Sequence, residues 1–267
     1  MQYKTIILEK RNGIATLTLN RPETLNAWND EMSGEAADAI SEIDKDENTR
    51  VLIVTGEGRG FSSGFDVREL ARATEEASGT ISEQMMQYEP SVVNIGLQLR
   101  RMDKPVIGAI NGIAAGVGFV IALACDLRIA SERAQFSMVF ILRGLIPDCG
   151  GTFLLPKLIG SAKASELIFT GDVINADEAE RIGLVNKVVP HEKLAEATEE
   201  LANKLLKRPP IALKYAKRAV YKGLIEVDLA SHIDYEIALN RICTHTEDFR
   251  EAVKAFLEKR QPVFKGK

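Results

Sequence analysis

Apolar residues in this chain come in short runs punctuated by glycine, asparagine and proline, and the spacing inside each run predicts an element. Tyr3–Leu8 and Ile14–Leu19 flank an Asn12-Gly13 pair, which predicts two strands joined by a hairpin turn. Ala36, Ala37 and Ile40 recur at helical spacing behind Asn29, so a helix capped by Asn29 is expected to run to about Asp44. Val51–Thr55 is a short β-branched run and predicts a buried strand. Residues 70–80 are polar and carry no firm pattern, whereas Ser82–Met102 predicts a helix that Pro90 interrupts near its start. A strand over Val106–Ile110, a helix from about Gly116 and a strand near Leu127–Ala130 follow. Short helices over Gly151–Ile159 and Ala162–Thr170 come next, then a strand over Leu184–Val189.

After His191 the pattern is helical throughout, with Ala195–Leu206, Ile211–Tyr221, Leu229–Ile242 and Phe249–Leu257 as the expected helices. Alternating strands and helices followed by helices alone predict an α/β core, residues 1–190, and a C-terminal helical region, residues 191–267. Arg208-Pro209-Pro210 supplies a break in the transition. Pro105–Cys125 is uncharged over roughly a membrane-spanning length. Pro105, Asn111, Gly112, Gly116 and Gly118 interrupt it, and a strand, a turn and a buried helix account for it better than a membrane span does.

The chain has 267 residues, 45% of them hydrophobic, and a net charge of −4. That is enough to build a substantial core, and the acidic balance argues against nonspecific nucleic-acid binding. Cys125, Cys149 and Cys243 are odd in number and have no ligand-spaced histidines nearby, so neither a disulfide framework nor a metal site is expected. A reducing compartment, the cytoplasm, fits this usage. The opening residues MQYKTIILEKRNG lack the layout of a secretory or transit segment.

Three turns carry candidate chemistry. In Phe61-Ser62-Ser63-Gly64-Phe65-Asp66 a glycine lets the backbone present an N–H without a side chain in the way, while Asp66 reads equally as a helix cap. In Gly116-Val117-Gly118 a helix N-terminus offers unpaired N–H groups and a partial positive charge, although small residues there also serve close packing. In Ile146-Pro147-Asp148-Cys149-Gly150-Gly151 one carboxylate lies among Ile141, Leu142, Leu145, Phe153 and Leu154. It reads either as a partly desolvated base or as the cap of the helix that follows. The histidines, His191, His232 and His245, all fall in the C-terminal third and share no motif with a serine or cysteine, so a nucleophilic triad is not expected. Cys149 reads as a small packing residue. Lys204, Lys207, Arg208, Lys214, Lys217, Arg218 and Lys222 form either a phosphate patch or the solvated face of two helices.

Taken in order, LNRPETLNAWNDEM, VLIVTGEGRGFSSGFDVREL, KPVIGAINGIAAGVGFVIALACDLRIAS, AQFSMVFILRGLIPDCGGTFLLPKLIG, FTGDVINADEAERIGLVNKVVP and FLEKRQPVFKGK resemble the crotonase (enoyl-CoA hydratase/isomerase) superfamily over nearly the whole chain. The resemblance implies a spiral of strand–strand–helix (ββα) repeats and a C-terminal helical region that builds homotrimers or homohexamers. It also implies an oxyanion hole from two backbone N–H groups, at Phe65 and Val117. Coenzyme A is expected along the Asn26-Ala27-Trp28 turn and the FSSGFD segment, which brings Ala27, Ser63 and Asp66 to the substrate, with Gly116 joining them from the second turn. By the same analogy Phe264 and Lys267 reach a neighbouring subunit's nucleotide.

Two departures sharpen the expectation. Hydratases of the superfamily carry glutamates at the positions of Val120 and Phe140, and both are apolar here. Asp148 fills the slot of the acid in the branch of ring-epoxide and enoyl-CoA isomerases, whose wording Gly144–Pro156 follows closely. The same slot belongs to the nucleophile of a dehalogenase branch. That branch also needs a histidine near Val92 and Val93, where this chain has none. The expected reaction is therefore an acyl-CoA isomerisation with Asp148 as acid and base. Val120, Phe140, Phe119, Met138 and Val139 would form an apolar acyl pocket, with the CoA thioester as substrate and no separate cofactor. The rivals are a hydratase or another acyl-CoA lyase or hydrolase, and an inactive acyl-CoA or RNA binder.

Overall fold

A computed structural model of the chain describes residues 3–69, 71 and 93–267. Strands β1 (Ile6–Arg11) and β2 (Ile14–Leu19) form the expected antiparallel hairpin, with Asn12 and Gly13 at positive φ. β1 starts later than expected and runs to Arg11, because pairing with Ile14 extends it to the turn. Helix α1 (Asp30–Lys45) begins where expected, with the Asn29 side chain accepting the Met32 N–H at 2.9 Å.

Three strand pairs then repeat one plan. β3 (Val51–Gly56), β5 (Val106–Ile110) and β7 (Leu127–Ser131) enter a six-stranded sheet of order β1-β2-β3-β5-β7-β10, closed by β10 (Lys187–Val189). β4 (Gly60–Ser62), β6 (Ile113–Ala115) and β8 (Gln135–Ser137) step sideways into a four-stranded sheet of order β4-β6-β8-β9, closed by β9 (Val173–Asn175). The three repeats pair in parallel in both sheets. Helices α2 (Val93–Arg101), α3 (Val117–Ala124), α4 (Gly151–Ile159) and α5 (Ser161–Thr170) return the chain, and α6 (Ala176–Arg181) links β9 to β10. This is the expected α/β spiral. The interrupted helix from Ser82 lies outside the described residues up to Val93, and all but one of residues 70–80 lie outside them as well.

The core explains the uncharged run from Pro105. Every residue of α3 is buried, and Phe119 packs on Phe136 with ring centroids 5.3 Å apart. Among the described residues no helix is long and apolar enough to cross a membrane. A second cluster covers the other face of the large sheet, where Val51, Ile53, Ile107, Ala109 and Ile129 meet Leu194 and Ala202 of α7 (Leu194–Leu206). The remaining helices, α8 (Pro210–Gly223), α9 (Leu229–Thr244) and α10 (Glu247–Leu257), match the C-terminal pattern, but α8 and α9 contain no buried residue.

Candidate active site

The first turn is shaped by a distant piece of chain. After β2, Leu25 and Asn26 adopt positive φ, and Asn26 becomes fully buried. Its Nδ2 donates to the carbonyls of Glu57 (3.0 Å) and Gly60 (2.8 Å), while its Oδ1 accepts the Arg21 N–H at 2.9 Å. Ser62 Oγ donates back to the Asn26 carbonyl at 2.8 Å, and Ser63 donates from its N–H to Leu25 and from its Oγ to Thr24. Trp28 and Phe65 then form a parallel bridge, in which the Trp28 N–H reaches the Gly64 carbonyl (2.7 Å) and the Asp66 N–H reaches the Trp28 carbonyl (2.8 Å). A bridge of this kind uses the neighbours of Phe65 and leaves its own N–H facing the other way. Gly64 has φ +103°, and a Cβ there would stand 3.0 Å from the Ala115 carbonyl oxygen, so the turn is pressed onto the end of β6.

The second turn lies against the first. Gly116, at φ +52°, donates to the Ser137 carbonyl at 3.0 Å and starts α3 without a side-chain cap. Val117 is the first residue of that helix, so its N–H is one of the donors a helix start leaves over. A Cβ on Gly116 would lie 3.8 Å from Gly64 Cα, and one on Gly118 would lie 2.5 Å from the Ser62 carbonyl oxygen. Only glycines let these two stretches of backbone approach so closely. Among the described residues neither the Phe65 nor the Val117 N–H has an acceptor. Two free donors on abutting turns, one of them at a helix N-terminus, can stabilise a developing oxyanion.

The third turn is reached across an apolar wall. A Cβ on Gly151 would lie 2.9 Å from Pro147 Cβ and 3.1 Å from Val120 Cγ2. Val120 follows Val117 by three residues, about 4.5 Å along the helix axis. Val120 is fully buried and Phe140 is 8% exposed, and the Phe140 ring approaches within 3.9 Å of where a Gly116 Cβ would be. Asp148 is half-buried in this turn, and its carbonyl accepts the Gly151 N–H at 3.0 Å. It does not cap α4, because the N-cap position belongs to Gly150 and carries no side-chain bond. Cys149, with φ +54°, donates from Sγ to Asp148 Oδ1 at 3.3 Å. Burial, followed by the adjacent carboxylate, pushes the Cys149 thiol well above its ordinary range, so it stays protonated.

The sequence profile of the enoyl-CoA hydratase/isomerase family matches residues 9–267. The chain belongs to this family. It is 38% identical to the 1,2-epoxyphenylacetyl-CoA isomerase of Escherichia coli over 98% of both chains. It is 39% identical to the short-chain-enoyl-CoA hydratase of Clostridium acetobutylicum over 98% of this chain and 97% of the relative. A crystal structure of an enoyl-CoA hydratase from Bacillus anthracis superimposes with a TM-score of 0.91 at 37% identity, covering 99% of this chain and 100% of that one.

For a member of the family, the remaining expected residues divide sharply. Ser63, Asp66 and Gly116 belong to the two abutting turns, and Ala27 lies in the stretch that braces the first of them, its carbonyl accepting from Arg21 Nη1 at 2.6 Å. Both carboxylate oxygens of Asp66 are engaged within the chain: Oδ1 accepts the Arg68 N–H at 3.1 Å, which realises the capping reading, and Oδ2 pairs with Arg21 Nη2 at 3.1 Å. Phe264 and Lys267 lie elsewhere. The tail folds back along α10, where Asp248 accepts the N–H groups of Lys265 (2.7 Å) and Gly266 (2.8 Å) and the Lys267 carbonyl accepts that of Glu247 (2.7 Å). Gly266 abuts Pro210, close to where Arg50 donates to the Arg208 carbonyl at the start of β3. The Gly64 turn lies past the other end of that strand, so the tail is remote from its own chain's turns.

The basic residues of α8 are tied into ion pairs rather than gathered into a patch. Lys214 and Arg218 pair with Asp103, Lys217 with Asp126 and Lys222 with Glu226. His191 Nδ1 contacts Ser131 Oγ at 3.0 Å, but Ser131 is fully buried and also accepts the Arg133 N–H, as in a structural turn. Among the described residues no cluster of three or more His, Cys, Asp or Glu could hold a metal. Two contributors escaped the sequence reading. Arg21 lies in the LNRP stretch just after a strand and has no chemistry of its own in the pattern, and Cys149 looked like a space-filler.

Proposed function

We propose that the protein isomerises acyl-CoA thioesters through an enolate. The Phe65 and Val117 N–H groups donate to the thioester oxygen. The Asp148 carboxylate takes a proton from an acyl carbon, and the C–H electron pair moves toward that oxygen. Asp148 then returns the proton to a different carbon, so nothing is gained or lost and no cofactor besides the substrate's own CoA is called on. One such donor is worth about 3–4 kcal/mol of transition-state stabilisation, and a positioned acid–base about 100- to 10,000-fold in rate. The observation that carries this reading is the buried, apolar pair Val120 and Phe140 where hydratases of the family have glutamates, beside a single carboxylate turn. Likeness to an isomerase of epoxyphenylacetyl-CoA, and at 36% to the trans-2-decenoyl-[acyl-carrier-protein] isomerase of Streptococcus mutans, supports it.

Likeness to the Clostridium hydratase favours a second reading, in which Asp148 activates a water alone. Chromatography of the products from straight-chain and cyclic enoyl-CoAs separates the two. Positional isomers are expected, and hydroxyacyl-CoA as the main product would overturn the isomerase reading.

The assembly we propose is a homotrimer or a dimer of trimers, with Phe264 and Lys267 serving a neighbouring copy's substrate. Exposed Val220, Leu224, Ile233, Ile237 and Phe256 support it, and sedimentation equilibrium reads it directly. Three unpaired cysteines support a cytoplasmic setting.

A further inference from the structure

The Phe65 turn is held almost wholly by residues 21–28, and most of the holding atoms are backbone. Carbonyls of Thr24, Leu25 and Trp28 accept from Ser63 and Asp66, and the Trp28 N–H reaches Gly64. Arg21 adds the charged member. Its Nη1 donates to the Ala27 carbonyl at 2.6 Å and its Nη2 to Asp66 Oδ2 at 3.1 Å. Ala27 precedes Trp28 and Asp66 follows Phe65, so the guanidinium spans the two segments directly beside the Trp28–Phe65 bridge. The side chains are 17% and 8% exposed, which keeps water from competing for the pair. Arg21 is itself fixed: its N–H donates to Asn26 Oδ1, and its carbonyl accepts from Thr24 and Asn26.

We infer that Arg21 is a positioning residue for the Phe65 amide. By tying Ala27 to Asp66 it fixes the direction in which that N–H points. Hydrogen bonds weaken steeply as the donor angle departs from linear, so a small rotation of the bridge costs polarisation of the bound thioester. The planar fork is essential, because a lysine ammonium cannot hold a carbonyl and a carboxylate at these two positions in one plane. The inference rests on Phe65 being an oxyanion donor, as proposed above.

The carbonyl stretch of bound, carbonyl-labelled hexanoyl-CoA, read by infrared difference spectroscopy, tests it. This saturated thioester has no double bond to shift, so it reports the ground-state hydrogen bonds. In the parent the band is expected to move to lower wavenumber on binding; a band left at the free-ligand position would contradict the oxyanion reading itself. With that shift in place, Arg21→Met is expected to return the band toward the free position, with Arg21→Lys in between. Turnover of an enoyl-CoA should fall by about 10- to 100-fold, the scale of a misplaced group in a site, while hexanoyl-CoA affinity changes less than about threefold. Parent band and parent turnover in both variants would overturn the role of Arg21. Should Arg21→Met fail to fold, Asp66→Asn keeps an oxygen for the Arg68 cap and removes the charge partner. A band moved toward the free position then supports the inference, and a parent band overturns it.

Discussion

The two glycine turns and helix α8 are fastened to the same core by different means. The turns are held mainly by neutral groups: Asn26 and Asn111 donate to backbone carbonyls across the β3–β4 corner, Ser62 and Ser63 bond to the 24–26 stretch, and glycines admit backbone contact. Arg21 with Asp66 is the exception, and that pair is largely shielded from water. Helix α8 is fastened by charge. Lys217 Nζ reaches Asp126 Oδ2 at 2.9 Å and the carbonyls of Leu99 and Lys104 at 3.0 Å, and Tyr221 OH donates to the other oxygen of Asp126. Lys214 and Arg218 hold Asp103, and the Arg100 guanidinium lies 3.4 Å over the Tyr221 ring. Neutral, directional bonds suit the proposed oxyanion site, whose two N–H groups would have to point one way in any buffer. Ionic ones suit an appendage attached to a finished core.

Lys217→Met should cost the most stability. It leaves the Asp126 carboxylate at a mostly buried position without its cation, and losing one partner of such a pair costs about 3–5 kcal/mol. The Val106 N–H, bonded to Asp126 at 2.7 Å, and Tyr221 remain as partners, which puts the expected loss at the lower end of that range. The midpoint of a urea titration checks it, and an unchanged midpoint would deny α8 its anchor. Asn26→Ala should come next, at about 2 kcal/mol, because it removes a fully buried amide that donates to the Glu57 and Gly60 carbonyls and accepts the Arg21 N–H, with Asn111 left as the donor to Gly60. Its signature is different: turnover should fall together with stability, since the Asn26 side chain holds the Arg21 N–H and Arg21 ties Ala27 to Asp66 beside the Phe65 turn.

A smaller effect sharpens the contrast through pH. Burial pushes the Asp103 carboxyl up, but hydrogen bonds from Lys214 and then Arg218 outweigh it and hold the group below its ordinary value. A depressed folded-state value stabilises the fold above the unfolded carboxyl range near pH 4, and that contribution is lost as pH falls through and below it. Stability measured from pH 6 down to pH 3 should therefore fall less steeply in Asp103→Asn than in the parent. Identical slopes would show that the Asp103 pairing with Lys214 and Arg218 contributes nothing to stability.

Much of the fold was legible because its long elements carry period and caps. The Asn12-Gly13 hairpin, the Asn29 cap and the four helices after His191 follow from local rules. The small sheet was not legible. β4, β6, β8 and β9 have three residues each, too few to show alternation; the first three exist because each larger strand hands its chain to a neighbour, and β9 pairs on β8 after a helix. The site divides in the same way. Gly116-Val117-Gly118 is visible as a helix start, whereas the Phe65 turn depends on Arg21, Asn26 and Trp28, some forty residues earlier, and only three-dimensional pairing brings them together. Asp148 stood out as an acid among apolar neighbours, but only the structure separates it from a helix cap, by giving that position to Gly150.

Proton exchange in heavy water reads the acid–base role of Asp148. With an enoyl-CoA substrate, the parent is predicted to form the positional isomer and to place deuterium on an acyl carbon. Asp148→Asn should bind the thioester yet lose that exchange by about 100- to 10,000-fold. Exchange at the parent rate in the variant would show that some other group moves the proton, and the assignment of two backbone donors and one carboxylate would fail.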